Sequence, residues 1–99
     1  MAEIHFTGDL WEYTSASPGS WHFVTLPGEI ADDIISEAGQ NNPFGSIRVD
    51  ATINATTWRT SLFPDKSRGL LLLPVKKQVR RVEDLGDGSA CHVTLSIVD

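Results

Sequence analysis

Two strand-to-helix junctions of the same form constrain this chain more than any other feature. WHFVTLPGEIADDI (residues 21–34) and SRGLLLLPVKKQVRRV (residues 67–82) each run from an apolar strand through Leu-Pro into a short amphipathic helix. Proline cannot donate to a sheet ladder, yet its fixed φ suits the first turn of a helix. Leu26-Pro27 and Leu73-Pro74 are therefore each predicted to end a strand and open a helix. A further strand precedes each junction, and a glycine-containing loop and an alternating strand follow it. This predicts one domain, residues 1–99, built from two strand, strand, helix, strand halves at about 3–54 and 55–98. Such a half cannot bury its own apolar face, so the two halves should interlock around a shared core. Closing the six strands on themselves would also hide their edges.

Within the first half, Ile4, Phe6 and Leu10 occupy even positions, whereas Trp11 and Tyr13 occupy odd ones, which predicts a bulge or bend after Gly8 and Asp9. TSASPGS (residues 14–20) has the composition of a hairpin turn. A helix is predicted over 28–38, with Ile30, Ala31, Ile34, Ile35 and Ala38 inward and Glu29, Asp32, Asp33 and Glu37 outward. GQNNPFG (residues 39–45) reads as a loop, and a strand over 46–53 has Ile47, Val49, Ala51 and Ile53 facing inward. Asn54 and Ala55 mark a tight turn.

The second half begins with a strand over 56–63, the turn PDKSRG and a strand at Leu70, Leu71, Leu72 and Leu73. Four consecutive leucines predict a strand covered on both faces, although periodicity alone does not separate this from a buried helix segment. The helix after Pro74 is expected to turn Val75, Val79 and Val82 inward and Lys76, Lys77, Arg80 and Arg81 to solvent. LGDG (residues 85–88) is a turn, and a last strand over 90–98 places Cys91, Val93, Leu95 and Ile97 on one face.

Composition removes whole classes of answer. Ninety-nine residues allow one modest core, and 40% hydrophobic residues indicate a globular chain. No apolar run approaches the roughly 18 residues of a membrane-spanning helix. The opening MAEIHFTGDL runs straight into an alternating strand without a basic start or apolar stretch, so a cytoplasmic location is expected. Cys91 is the single cysteine, which leaves no intrachain disulfide and no cysteine-cluster zinc site. A net charge of -5 opposes non-specific nucleic-acid binding by the molecule as a whole, while leaving room for a local basic patch.

Five motifs in order carry a resemblance: Leu10 with Trp11, WHFVTLP (21–27), FGSIRV (44–49), TTWRTSLFPDK (56–66) and LLPVKKQVR (72–80). Over nearly its whole length the chain resembles a small bacterial family, the domain of unknown function DUF1905, whose members have no established activity. The resemblance implies a double-split β-barrel akin to the AbrB- and MazE-like swapped-hairpin DNA-binding proteins. The stretch LLLLPVKKQVRRVEDLGDGSACHVTLSI (70–97) is itself similar to that pattern. In those regulators two chains each supply half a barrel. Here both halves lie in one chain, which implies a monomer able to complete its own barrel, with a dimer also compatible. The expected fold is thus mainly β with two short helices, a six-stranded double-split barrel whose halves are related by pseudo-twofold symmetry.

Two groups of residues are candidates for a site. Arg59, Asp65, Lys66 and Arg68 gather mixed charge around one hairpin, with Trp58 beside Arg59 on the strand before it. An arginine next to aromatic surface can hold a carboxylate or phosphate bidentately, and Lys66 adds a point charge. The plainer reading is a solvated hairpin tip with Asp65 capping the turn. Arg59 departs from it, because a charge within a strand rich in Trp, Leu and Phe needs a partner. Lys76, Lys77, Arg80 and Arg81 form the second group, a basic face suited to phosphate contacts or simply the outer face of a core-packed helix. The net charge and the acidic first helix favour the second of these.

Other polar residues offer less. His5, His22 and His92 lack the i, i+4 spacing of helical metal ligands and read as outward-facing strand residues. Cys91 belongs to an inward set, and Ser61, Ser67 and Ser89 have no glycine-rich elbow around them. Trp11, Trp21 and Trp58 suit core or barrel-end packing, although aromatics at a barrel mouth also line ligand pockets. No nucleophile with a base is visible, so no catalytic residue, metal or cofactor is assigned. The leading expectation is a ligand-binding or interaction module that accepts an anionic ligand or protein partner around Trp58, Arg59, Asp65, Lys66 and Arg68, without nucleic acid or membrane. The alternative is an AbrB-like DNA-binding regulator acting through Lys76, Lys77, Arg80 and Arg81.

Overall fold

The computed structural model describes residues 3–14, 20–38, 47–65 and 69–98. Among them the elements run β1 (Ile4–Thr14), β2 (Ser20–Thr25), α1 (Gly28–Ala38), β3 (Ile47–Ile53), β4 (Thr56–Asp65), β5 (Leu70–Pro74), α2 (Lys77–Val82) and β6 (Ala90–Ile97). The six strands close into a barrel in the order β1-β2-β5-β4-β3-β6, with every neighbouring pair antiparallel. The fold is therefore mainly β, with two helices outside a closed barrel to which one chain contributes every strand.

Alternation fills the interior. Leu10, Val24, Val49, Ala51, Ile53, Leu62, Leu71, Leu73, Val93 and Leu95 are all at most 2% exposed and form a continuous core. The leucine run is a strand: Leu71 and Leu73 point into the barrel, and Leu70 and Leu72 are half-buried outside it. Burial of Ala31 and Ile34 seats α1, and Val75 and Val79 anchor α2 with its approach. Burial of aliphatic side chains of this size contributes about 1.5–3 kcal/mol each, which holds two short helices that would not persist alone.

Two strands are shared between neighbours, and this shapes the surface. Residues Ile4 to Asp9 of β1 pair with β6, and Leu10 to Thr14 pair with β2. Likewise β5 pairs with β4 only through Leu70, Leu71 and Leu72, then passes to β2 through Leu72, Leu73 and Pro74. Among the described residues, β4 from Thr56 to Leu62 has its ladder on the β3 side alone. The edge on the other side faces α2.

Several expectations need correction. No change of phase interrupts β1: inward-facing residues stay even through Leu10, and Trp11 and Tyr13 point outward, Tyr13 being 52% exposed. Gly8 instead allows a close approach, since a Cβ there would meet Val24 Cγ1 at 2.8 Å. Trp11 and Trp21 also lie outside the barrel, where Trp11 packs on Phe23 at 5.3 Å and donates from Nε1 to Thr25 Oγ1. Ile35 of α1 is 42% exposed. Val82 is 71% exposed, because α2 begins at Lys77, three residues after Pro74, and ends at Val82 before a turn at Asp84. His22 shares the inward parity of Val24 and does not face outward. Residues 15–19 of the turn predicted over 14–20, the whole loop predicted over 39–45 with residue 46, and residues 66–68, which include Lys66 and Arg68, lie outside the described residues.

Candidate functional site

Where β5 leaves β4, a cleft of about 540 Å³ opens between the free edge of β4, the start of β2 and α2. Local chemistry accounts for its position. Pro74 has no N–H with which to continue toward β4, so the chain turns away, and the six-residue α2 covers only part of the gap. From β4 come Trp58, Arg59, Thr60 and Phe63, and from β2 come Trp21 and His22. Pro74 and Val75 complete the apolar wall, while Lys76, Lys77 and Arg80 stand at the side of α2.

The walls are aromatic and partly bare. Trp21 is 58% exposed and Phe63 45%. Trp21 lies nearly parallel to Phe23, with ring centroids 6.3 Å apart and 7° between planes, so its orientation is held by a neighbour. Trp58, by contrast, is 7% exposed. Its Nε1 and the Nδ1 of His22 are both sealed from water and have no hydrogen-bond partner among the described residues. A buried polar atom left unpaired costs about 1–3 kcal/mol, so each of these two groups is a local cost to the fold.

Charge at the rim is uneven. Arg59 points outward on β4 directly opposite Asp50 of β3, donating from Nε to Oδ1 at 2.9 Å and from Nη2 to Oδ2 at 3.3 Å. The hydrogen bond from Arg59 holds the Asp50 carboxyl below its usual range, and the same bond raises Arg59. Arg59 thus has the partner it required, on the surface and not in the core. Arg80 is half-buried and donates from Nε to the Val75 carbonyl at 3.3 Å, which fixes its guanidinium beside the cleft. Lys76 and Lys77 are exposed.

The two candidate groups meet here in part. Trp58 and Arg59 share the cleft with Lys76, Lys77 and Arg80, whereas Arg81 is exposed and absent from its lining. Asp65 ends β4, its carbonyl accepts from the Gly69 amide at 2.8 Å, and it does not line the cleft. Thr60 and Phe63 are lining residues that the sequence does not single out, whereas Trp21 fits the expectation of an aromatic lining a pocket at a barrel mouth and His22 departs from its expected outward orientation. Both parities of β2 are apolar, Trp21 and Phe23 against Val24 and Leu26, so alternation alone leaves the side of His22 open.

The other two histidines have partners. His5 Nδ1 meets Thr94 Oγ1 and His92 Nδ1 meets Thr7 Oγ1, both at 3.0 Å on the outer barrel face. Burial pushes the Cys91 thiol up from its ordinary value, which suits an inert core residue. Among the described residues no three His, Cys, Asp or Glu side chains gather as a metal site, and no helix is long and apolar enough to cross a membrane.

The family model for the domain of unknown function DUF1905 matches residues 6–95. The chain belongs to the DUF1905 family. All eight elements lie wholly or mostly within the matched span, and every residue lining the cleft falls inside it. A comparison with curated proteins gives no match. The chemistry of this DUF1905 chain has therefore to be read from the cleft itself.

Proposed function

We propose that this DUF1905 chain is a ligand-binding module whose cleft receives a small anionic ligand with an apolar body. The observation that carries this reading is the convergence on one hollow of bare aromatic walls, two buried ring nitrogens without partners among the described residues, and three cations, Lys76, Lys77 and Arg80. Apolar walls with a few convergent polar groups are the usual make-up of a small-molecule site. A protein of net charge -5 that gathers cations beside such a hollow favours an anion there.

The same reading includes a double-split barrel with pseudo-twofold halves. Exchanging β1 with β4, β2 with β5 and β3 with β6 returns the same cyclic strand order, which supports that relation. On this view α1 and α2 cover equivalent splits. The first helix has 11 residues and the second 6, which accounts for an open cleft beside α2.

The AbrB-like alternative would bind DNA through Lys76, Lys77, Arg80 and Arg81. It has less support, because α2 is only about 9 Å long and the net charge opposes a polyanion. Titration of the ¹⁵N-labelled chain with aromatic and aliphatic carboxylates and with inorganic phosphate tests the proposal. Saturable shifts confined to cleft residues are expected. Their absence with every anion at millimolar concentration refutes it, and DNA binding that weakens steeply with salt would favour the alternative.

A further inference from the structure

We infer that the ligand of this cleft is a planar aromatic carboxylate, an inference that rests on the ligand-binding reading above and narrows it to one chemical class. The acid group is defined by the donors. Trp58 Nε1 can only donate, and His22 Nδ1 can donate in the appropriate tautomer, so each offers a donor to a carboxylate oxygen. Both atoms are closed to water in the free protein, so an acid group that reaches them meets no competition from solvent. A phosphate dianion fits less well. It brings a further oxygen and a second charge into a hollow lined by Trp58, Phe63, Pro74 and Val75, where each unpaired charge is costly to desolvate. A singly charged head balanced by Lys76, Lys77 and Arg80 at the rim avoids that cost.

The walls define the body. Trp21 and Phe63 leave about half of their surface in water, 58% and 45%, although each belongs to a residue type that gains by burial. Flat rings recover this area best by stacking on another flat ring, which adds to the energy of burial alone. A flexible alkyl chain would cover the same area but would lose rotamer freedom on binding, and it matches planar walls less closely. The cleft volume of about 540 Å³ lies within the range of small-molecule sites and admits a fused two-ring acid.

The test uses the full chain, uniformly ¹⁵N-labelled so that backbone amide and tryptophan indole signals are both read, with 1-naphthoate, octanoate and inorganic phosphate as probes. We expect 1-naphthoate to bind at least about tenfold more tightly than either of the others, with the Trp58 indole N–H signal moving downfield as it gains an acceptor. Trp58→Phe keeps a ring and removes the donor, and should weaken 1-naphthoate about tenfold, as expected for a hydrogen bond to a charged group. Should that variant fail to fold, Trp21→Ala at an exposed position should give a loss of similar size for 1-naphthoate and leave phosphate unchanged. Octanoate or phosphate binding as tightly as 1-naphthoate, with shifts at Lys76, Lys77 and Arg80, would overturn the aromatic assignment and leave the wider ligand-binding reading standing. Silence of every cleft resonance with all three probes would overturn both.

Discussion

Arg59 and Asp50 stand opposite each other in the β3–β4 ladder and meet through two hydrogen bonds, so the arginine that borders the cleft is already half spoken for. Asp50→Asn releases it without altering the shape of the site. Both side chains are well exposed, at 57% and 38%, so little change in melting temperature is expected. Affinity for a carboxylate probe should rise about two- to fivefold at low salt, and the gain should fade as salt is added. An unchanged affinity, measured by calorimetry, would mean that Arg59 takes no part in the site.

Gly8 and Val24 form a second coupled pair. A methyl group at residue 8 would lie 2.8 Å from Val24 Cγ1 and 3.4 Å from the Thr25 carbonyl oxygen. Gly8→Ala should therefore cost about 1–3 kcal/mol in urea unfolding through overpacking. Adding Val24→Ala removes the nearer obstacle, so the double variant should lose less than the two single losses combined. Strict additivity would show that the contact carries no strain.

Glu83 ties the end of α2 to the β3–β4 turn, with Oε2 accepting from Thr56 Oγ1 at 2.5 Å and Oε1 accepting from Asn54 Nδ2 at 3.0 Å. These bonds, that of Thr56 foremost, hold its carboxyl below the ordinary value of 4.5. A depressed folded value stabilises the fold above the unfolded value and loses that stabilisation as pH falls through the folded one. The melting-temperature difference between the parent and Glu83→Gln should accordingly be largest near neutrality and shrink below about pH 4.5. A difference independent of pH would remove Glu83 as the cause.

The placement of α2 can be checked with two aliphatic residues of the same half. Leu73 has no exposed surface, and Leu73→Ala should lower unfolding free energy by about 2–5 kcal/mol. Val82 is 71% exposed, and Val82→Ala should fall within about 0.5 kcal/mol of the parent. Comparable losses at the two positions would restore Val82 to the core.

Much of the fold is legible in the amino-acid sequence. The spacing of apolar residues marks α1 with the bounds it has, and clean alternation marks β3 and β6 with their inward faces, because both signals are local. One long-range relation is also present but indirect. A two-residue turn at Asn54 and Ala55 sets Ile53 opposite Thr56, and counting outward brings Asp50 to Arg59. The outward turn of Trp11 and Tyr13 mimics a bulge, because bulky aromatics on an outer face look like core when only periodicity is counted.

The order of elements, the two proline junctions and the strand-rich class are written in the chain itself, since proline chemistry and alternating hydrophobicity act within a few residues. The sharing of β5 between β4 and β2 is a property of the tertiary fold alone, and it leaves an edge of β4 facing α2. That single departure brings Trp58 and Arg59 to Lys76, Lys77 and Arg80, and turns His22 toward the same hollow. Strand pairing between distant segments sets such neighbours, and no local pattern encodes which of two apolar faces a strand will bury.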